Sequence, residues 1–290
     1  MNLLLEVQLC DIEQDLIGMI GDIFYSLIEQ TISILTTNPK DWAIANGIWN
    51  VIENLNQTLI TVAVNLAVIF FLIGFLERSI NIKEQISLLE ILMLYVRIGI
   101  TEWFIVHSLD IICCLFEFVT GLVGLTNVSG RYINHLGLAN HIHDMSSISN
   151  IVFLFPTILY LIIVPACGGI IVVLALKRLF KVYLAIPYAS IAFSGISSGS
   201  RHVSEMTPRY IKSILAVLLD GFTLAVALQV GLSLFISSSG GFISFESILV
   251  SNHLLPATLK IIRNIINVVL LTVVCHMTEN VANRVLALDR

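Results

Sequence analysis

Charged residues are scarce in this chain of 290 residues, where Asp, Glu, Lys and Arg together make up only 12%. A soluble domain has about 25% charged residues, because its surface must be solvated. Apolar residues reach 57% here, and the mean hydropathy is +0.94. These values predict an all-α, polytopic integral membrane protein, with the lipid bilayer as its first partner.

The sequence also has few patterns that carry chemistry. It contains no GxxxxGK[ST] phosphate-binding loop and no HExxH zinc helix. Its five cysteines form no CxxC pair, and the pair His141 and His143 in a polar loop has no evident third ligand. The net charge of −5 argues against a nucleic-acid-binding surface over the whole protein. We therefore expect no catalytic residue, cofactor or metal, and any transport must draw energy from a partner or a gradient.

Residues 1–56 are predicted to form an amphipathic segment outside the cytoplasm. Apolar residues recur every three or four positions with acidic residues between them, which is typical of a helix with one apolar face. These apolar positions are Leu5, Leu9, Ile12, Leu16, Ile20, Ile23 and Leu27. Pro39 marks a break, and Asp41 is expected to cap the next helix. An acidic face suits anionic lipid poorly, so its partner is another protein or the chain's own membrane domain.

Residues 57–290 are predicted to form the transmembrane domain. A helix needs about 20 apolar residues to cross the hydrocarbon, and five stretches provide a span. They are residues 59–76, 88–125, 151–176, 210–236 and 261–277. The second is too long for one perpendicular crossing, so it is tilted or begins along the interface. Residues 182–193 are too few to cross and contain Pro187, which predicts a re-entrant or interfacial segment.

Basic residues predict the orientation, because cytoplasmic loops carry more Lys and Arg than external loops. Most basic residues outside the predicted spans lie at residues 77–87, at residues 177–212 and in the C-terminal tail. The N-terminus is therefore expected outside and the C-terminus inside. Lys260 and Arg263 depart from this rule, since they lie at the outer end of the last span.

Charged side chains within the predicted spans mark candidate channel or interface positions, because each costs at least about 2.5 kcal/mol at membrane depth. They are Glu102, Asp110 and Glu117 on the second span, Asp220 on the fourth, and Lys260 and Arg263 on the fifth. On an ideal helix the three acids of the second span fall within a narrow arc. Two readings stay open: these residues line a conduit or a subunit interface, or the acids pair with bases on neighbouring helices.

The stretch from Lys177 to Phe193, KRLFKVYLAIPYASIAF, resembles the TrbL family of conjugal-transfer membrane proteins, which is related to the sixth VirB component of type IV secretion systems. The order of features is similar too: a basic cluster, a proline-broken apolar segment, a Ser/Gly loop and a long span opening with KSILAVLL at residue 212. The resemblance covers residues 150–235. It implies a subunit of the bacterial cytoplasmic membrane that assembles in several copies around a DNA or protein translocation path, beside secretion ATPases.

Under this resemblance the inner loops are candidate surfaces for an ATPase or for DNA, whose phosphates basic side chains bind. The residues are Lys177, Arg178, Lys181, Pro187, Arg201 and Arg209. Two other functions stay open. Pro156 and Pro165 interrupt the third span, as in the broken helices of small-molecule or ion transporters. A passive assembly or lipid-organising subunit has no sequence feature that distinguishes it.

Overall fold

The computed structural model describes residues 2–81, 88–125, 149–198, 201–236, 255–281 and 284. Within these ranges the regular structure is helical, without strands, which confirms the all-α prediction for this part of the chain. The helices are α1 Asn2–Thr36, α2 Pro39–Ala45, α3 Trp49–Asn81, α4 Leu88–Val106, α5 Ser108–Leu125, α6 Ser149–Ala185, α7 Ala189–Ser194, α8 Arg201–Ser204, α9 Met206–Gly231 and α10 Leu255–Met277. The predicted histidine pair, His141 and His143, lies outside the described residues.

Three stretches are long and apolar enough to cross a membrane: Trp49–Glu77, Phe155–Ser197 and Met206–Leu234. A fourth candidate is the bent pair Leu92–Val106 and Ser108–Gly124. The apolar part of α10, Ile261–Met277, is shorter. The part of the chain that the structure describes is therefore that of a membrane protein with three or four candidate spans.

The predicted second span is broken rather than straight, because α4 and α5 meet at His107 with a bend of 64°. The backbone nitrogen and the ring Nδ1 of His107 both lie 3.0 Å from the carbonyl oxygen of Trp103. The ring also stacks on the Trp103 indole, with centroids 4.7 Å apart. A side chain that enters the backbone hydrogen-bond ladder is a known cause of a helix kink. Glu102 and Asp110 therefore lie on different helices, so the narrow arc expected for the three acids holds only for Asp110 and Glu117.

The chain folds as two compact units, and α6 and α9 each contribute residues to both. The first unit comprises Met1–Thr36, Val123–Leu176 and Thr223–Glu279. The second comprises Thr37–Leu122, Lys177–Phe222 and Asn280–Arg290.

The core of the first unit joins α1, α6, α9 and α10. Its buried residues are Ile17, Ile20, Phe24 and Ile28 from α1; Tyr160, Val164, Cys167, Ile171, Leu174 and Ala175 from α6; Leu224 and Leu228 from α9 and Leu232 just after it; and Ile261, Val268, Leu271 and Cys275 from α10. On α1 the buried face differs from the predicted one by about one position, since Leu16 and Ile23 are exposed. The described part of α1 thus packs on other helices of the same chain. This is one of the two partners expected for it, the other being a different protein.

In the second unit, α2 begins at Pro39 and packs near α6. The cap of α2 is Asn38, whose Oδ1 accepts a hydrogen bond from the Lys40 backbone at 3.0 Å, so the expected cap at Asp41 was wrong. Gly47, with φ of 70°, turns the chain from α2 into α3. The Tyr183 hydroxyl donates to the Pro39 carbonyl at 2.7 Å and joins α2 to α6.

Candidate functional site

The centre of the second unit is a broken helical segment at residues 186–198, which follows α6 directly. A 310 turn at Ile186–Tyr188, α7, and a second 310 turn at Gly195–Ser197 succeed one another. Pro187 explains the first change of pitch, because a proline has no backbone N–H to donate. The broken segment packs against α3 and α4. The predicted short segment after the basic cluster is therefore a buried and interrupted continuation of α6.

Serine side chains fill the interior of the broken segment. Ser190, Ser194, Ser197 and Ser198 are all 0% exposed. The Ser190 hydroxyl donates to the Pro187 carbonyl, and Ser194 donates to Ile191 at 2.6 Å. A buried polar group is costly unless it is hydrogen-bonded. These local bonds let a polar segment lie inside an apolar protein.

Side chains from other helices bind carbonyl groups of the same segment and of its approach. Tyr210 on α9 donates to the Ala185 carbonyl at 2.9 Å. Thr207 donates to the Ala192 carbonyl at 2.6 Å. Arg97 on α4 donates through Nη1 to the Ser198 carbonyl at 3.2 Å. A helix break leaves carbonyls without helical partners, and these contacts bond several of them, so the interruption is built into the fold.

The broken segment lies beside the middle of a candidate span. Ser197 Oγ lies 2.8 Å from the Ala67 carbonyl oxygen, and it lies equally far from the Ser194 carbonyl oxygen. Ala67 is four residues from the midpoint of the stretch Trp49–Glu77, or about 6 Å along the helix axis. Irregular backbone at membrane depth is tolerated only where protein covers it or where it lines a cavity. The packing here meets the first condition.

Gly195 sits where the broken segment meets α8. A Cβ at this position would lie 2.9 Å from the Val203 carbonyl oxygen and 3.3 Å from the Met206 Cβ. Backbone atoms cannot move away as the end of a side chain can. The site therefore requires a residue without a side chain.

Three aromatic contacts hold the same region. The Phe193 ring lies between Phe104 of α4, at 5.6 Å between centroids, and Tyr210 of α9, at 6.2 Å. Tyr183 stacks on Trp42 at 6.1 Å. Edge and stacked ring contacts of this kind add specific geometry to apolar burial. Rings from α2, α4 and α9 thus fix the position of the broken segment and its approach.

A buried ion pair lies about two helical turns before the broken segment. Arg178 Nε is 3.2 Å from Asp220 Oδ2, and Arg178 Nη1 donates to the Asp220 backbone carbonyl at 2.7 Å. The side chains are 4% and 6% exposed. For Asp220 the structure therefore agrees with the second interpretation, in which an acid within the spans pairs with a basic residue on a neighbouring helix. Arg178, expected on a partner-binding loop, is instead buried with its charge paired inside the protein, and Pro187 is buried as well.

The acids of the bent pair have the opposite environment. Glu102, Asp110 and Glu117 are exposed. None of them forms an ion pair with a residue whose side chain the structure describes. Phe118, next to Glu117, is 63% exposed. Charged and large apolar side chains therefore share one outer surface of α5.

The basic candidate residues also differ in their exposure. Lys177 and Lys181 are exposed, and Arg209 is exposed and pairs with Glu205 at 2.6 Å within its own helical turn. Arg263 is half-buried, and its Nε has no hydrogen-bond partner among the described residues. The side chains of Arg201 and Lys260 lie outside the described part of the chain.

One pattern was missed at the level of sequence. Residues 195–199 read Gly-Ile-Ser-Ser-Gly, which matches the GxSxG nucleophile elbow. That elbow requires a strand-to-helix turn with an exposed serine. Here Ser197 is fully buried, follows α7, and lies 2.8 Å from two carbonyl oxygens. The match therefore lacks the structural context that this elbow requires.

Among the described residues, no group of three or more His, Cys, Asp or Glu side chains is placed to hold a metal ion. No protein-family model, no curated protein and no solved structure matches the chain. The site is therefore defined by its own geometry: a broken helix buried against α3 and α4, a buried ion pair beside it, and an outer surface of α5 that carries acids.

Proposed function

We propose that the protein is a channel or scaffold subunit of a type IV secretion machine that transfers DNA in conjugation. It resides in the bacterial cytoplasmic membrane and acts without catalytic residues, cofactor or metal. The observation that carries the proposal is the sequence from Lys177 to Phe193, which resembles the TrbL family. In the structure this sequence includes the end of α6 and most of the broken segment, so it belongs to a packed helical part of the second unit.

The exposed acids of α5 support a role within an assembly. Asp110 and Glu117 lie in a stretch that is apolar enough for membrane depth, where a carboxylate facing lipid costs about 2.5–3.5 kcal/mol. This cost is avoided if the acids face water or another protein. A homo-oligomer around an aqueous path provides either environment, and a single copy in lipid provides neither.

Five crossings, with the N-terminus outside and the C-terminus inside, remain the proposed topology. The fifth crossing rests on Ile261–Met277, which has 17 residues, the lower limit for a spanning helix. The second rests on the bent pair at His107. Residues 1–56 then form the proposed extracytoplasmic segment, so the first crossing uses the part of the stretch Trp49–Glu77 that follows residue 56.

Exposed basic residues supply the proposed inner surface. Lys177 and Lys181 precede the broken segment, and Arg209 follows it. Secretion ATPases and the phosphates of DNA are the proposed partners, because exposed Lys and Arg attract phosphate without sequence preference. Arg178 is left out of this surface, since it is buried against Asp220.

The proposal is tested by purifying the protein from native membrane in mild detergent and identifying what comes with it by mass spectrometry. A large particle with several copies of this chain and a secretion ATPase is the expected result. The matched variant is Lys177→Gln with Lys181→Gln, which should lose the ATPase and keep the oligomer. An oligomer without secretion partners would favour a passive assembly subunit.

One observation favours a second candidate, a small-molecule or ion transporter. The broken segment places irregular backbone beside the middle of α3, as in the discontinuous helices that form transporter sites. Purified protein in sealed vesicles should then accumulate a solute or ion without any partner protein. Failure across a panel of ions and amino acids, together with ATPase co-purification, would remove this alternative.

A further inference from the structure

The outer surface of α3 is less covered by the described chain than the surfaces of the other two unbroken candidate spans. In its most apolar window only 17% of residues are buried, compared with 39% and 44% for the stretches Phe155–Ser197 and Met206–Leu234. The buried side of α3, at Ile52, Asn56 and Ala63, faces its own unit. The opposite side is covered by nothing in the described chain.

An amide interrupts this uncovered side at its centre. Asn65 lies two residues from the midpoint of the stretch Trp49–Glu77. Its side chain is exposed and makes no hydrogen bond to any residue that the structure describes. An Asn side chain is too short to reach the interface from mid-depth. Lipid offers neither a donor nor an acceptor there, so the amide needs a partner that the described residues do not supply.

Five exposed residues form one face around this amide, which we call the α3 face: Thr58, Thr61, Asn65, Val68 and Leu72. Their spacing of three and four residues keeps them within an arc of about 80° on a helix. Val68 and Leu72 are 54% and 51% exposed. The face is thus apolar towards one end and carries hydroxyl groups and one amide towards the middle.

We propose that the α3 face binds the same face of a second copy of this chain, with the two Asn65 side chains hydrogen-bonded to each other. All copies inserted in one orientation hold Asn65 at the same depth, so a two-fold axis along the membrane normal brings the two amides together. Asn carries both donors and an acceptor and therefore satisfies an identical side chain. A symmetric interface of this kind is self-complementary.

A single Asn at a contact position of two parallel helices also fixes their register. Here it aligns the copies residue by residue, with Thr61 facing Thr61 and Val68 facing Val68. A partner of different sequence has no built-in reason to present an amide at this depth. The second copy is therefore the occupant that the geometry favours.

The inference deepens one part of the proposed function, assembly of several copies in the membrane, and it needs no secretion role. The test is disulfide cross-linking of the full chain in native membranes. Thr61→Cys, Val68→Cys and Leu72→Cys, which keep Asn65, should each give a covalent dimer. Val64→Cys and Ile73→Cys are the matched controls, because they are exposed but lie about 80–100° from the centre of the face. The unsubstituted chain, with exposed Cys114, sets the background.

A second measurement follows association of labelled full-length protein by energy transfer as it is diluted with lipid. Asn65→Val should weaken association about 3- to 30-fold, the range for hydrogen bonds between membrane helices. Asn65→Gln should restore much of it, because the amide is kept. Both variants should keep the thermal transition of the parent, since the side chain is exposed.

Equal cross-linking on and off the face, or none on it, would overturn the inference, as would a cross-linked product with a different protein. Intact DNA transfer with no α3 pairing would overturn the pairing alone and leave the secretion role standing. Strong pairing in cells whose DNA transfer does not depend on the protein would overturn the secretion role alone.

Discussion

Arg178 and Asp220 lie 42 positions apart in the chain and meet in an ion pair with 3.2 Å between Nε and Oδ2. Seven residues after Arg178, the Ala185 carbonyl accepts a hydrogen bond from Tyr210, which precedes Asp220 by ten residues. From the first contact to the second, the residue number rises along α6 and falls along α9. The end of α6 and the start of α9 are therefore antiparallel in the second unit, and a buried charge pair joins them.

Removing one member of this pair should lower the free energy of unfolding of the second unit. Asp220→Ala leaves the Arg178 guanidinium buried without its counter-charge, and loss of one partner of a buried pair costs about 3–5 kcal/mol. We expect a lower thermal transition in detergent, followed by tryptophan fluorescence, and reduced accumulation in membranes.

The double variant Arg178→Met with Asp220→Leu is the control for this prediction. Replacing both charges by apolar groups of similar volume is often neutral, so its transition should lie near that of the parent. A single variant as stable as the parent would contradict the buried pairing.

Gly195→Ala should destabilise the broken segment by about 1–3 kcal/mol, the usual range for overpacking. The added methyl group would lie 2.9 Å from the Val203 carbonyl oxygen. Gly221→Ala on α9 is the matched control, because nothing lies within 4 Å of its added Cβ. That variant should be up to about 1 kcal/mol more stable, because alanine has a higher helix propensity than glycine. Equal transitions for the two variants would show that α8 does not approach Gly195.

Two adjacent glycines test the packing of α1 on α6 in the first unit. The Cβ of Gly168→Ala would lie 2.9 Å from Leu27 Cδ1 and 3.1 Å from Phe24 Cδ2. The Cβ of Gly169→Ala would meet nothing within 4 Å. Because the contacting side chains can shift, we expect Gly168→Ala to lower the free energy of unfolding by about 1 kcal/mol. Gly169→Ala should not lower it. Proteolysis of the N-terminal helix, followed over time, should be faster only in Gly168→Ala.

Neutralising the exposed acids of α5 should affect assembly or transfer and spare the fold. Asp110→Asn and Glu117→Gln keep shape and remove charge, so the thermal transition should stay unchanged. DNA transfer from a complemented donor strain should fall at least tenfold if the acids line a conduit or an interface. Glu53→Gln, an exposed acid of α3, is the control. Normal DNA transfer and normal oligomers in both α5 variants would contradict a role of these acids in transfer or assembly.

Hydropathy alone was sufficient for the fold class, because the need to satisfy every backbone group in lipid leaves helices as the solution for long apolar runs. It also located the apolar cores of α3, α6 and α9 within the described residues. It did not find the break at His107, since the sequence there has neither proline nor glycine. The bend coincides with a histidine whose ring contacts the Trp103 carbonyl, a contact visible only in three dimensions.

The candidate site was predicted in part. Pro187 indicated an interrupted segment, but charge alone placed Arg178 on a loop beside Lys177 and Lys181. On a helix Lys177 and Lys181 lie about 40° apart, whereas Arg178 lies about 100° from Lys177, and neighbouring helices decide which side is buried. Arg178 faces Asp220, whereas the two lysines face outwards.

The sequence by itself determined that the chain is helical and suited to a membrane, because composition and run length depend on each residue's own transfer energy. Tertiary structure decided which charges are paired, which glycines are indispensable and which faces stay open. Those properties depend on contacts between residues such as Arg178 and Asp220 or Ser197 and Ala67, which are 42 and 130 positions apart. Local spacing carries no information about such contacts.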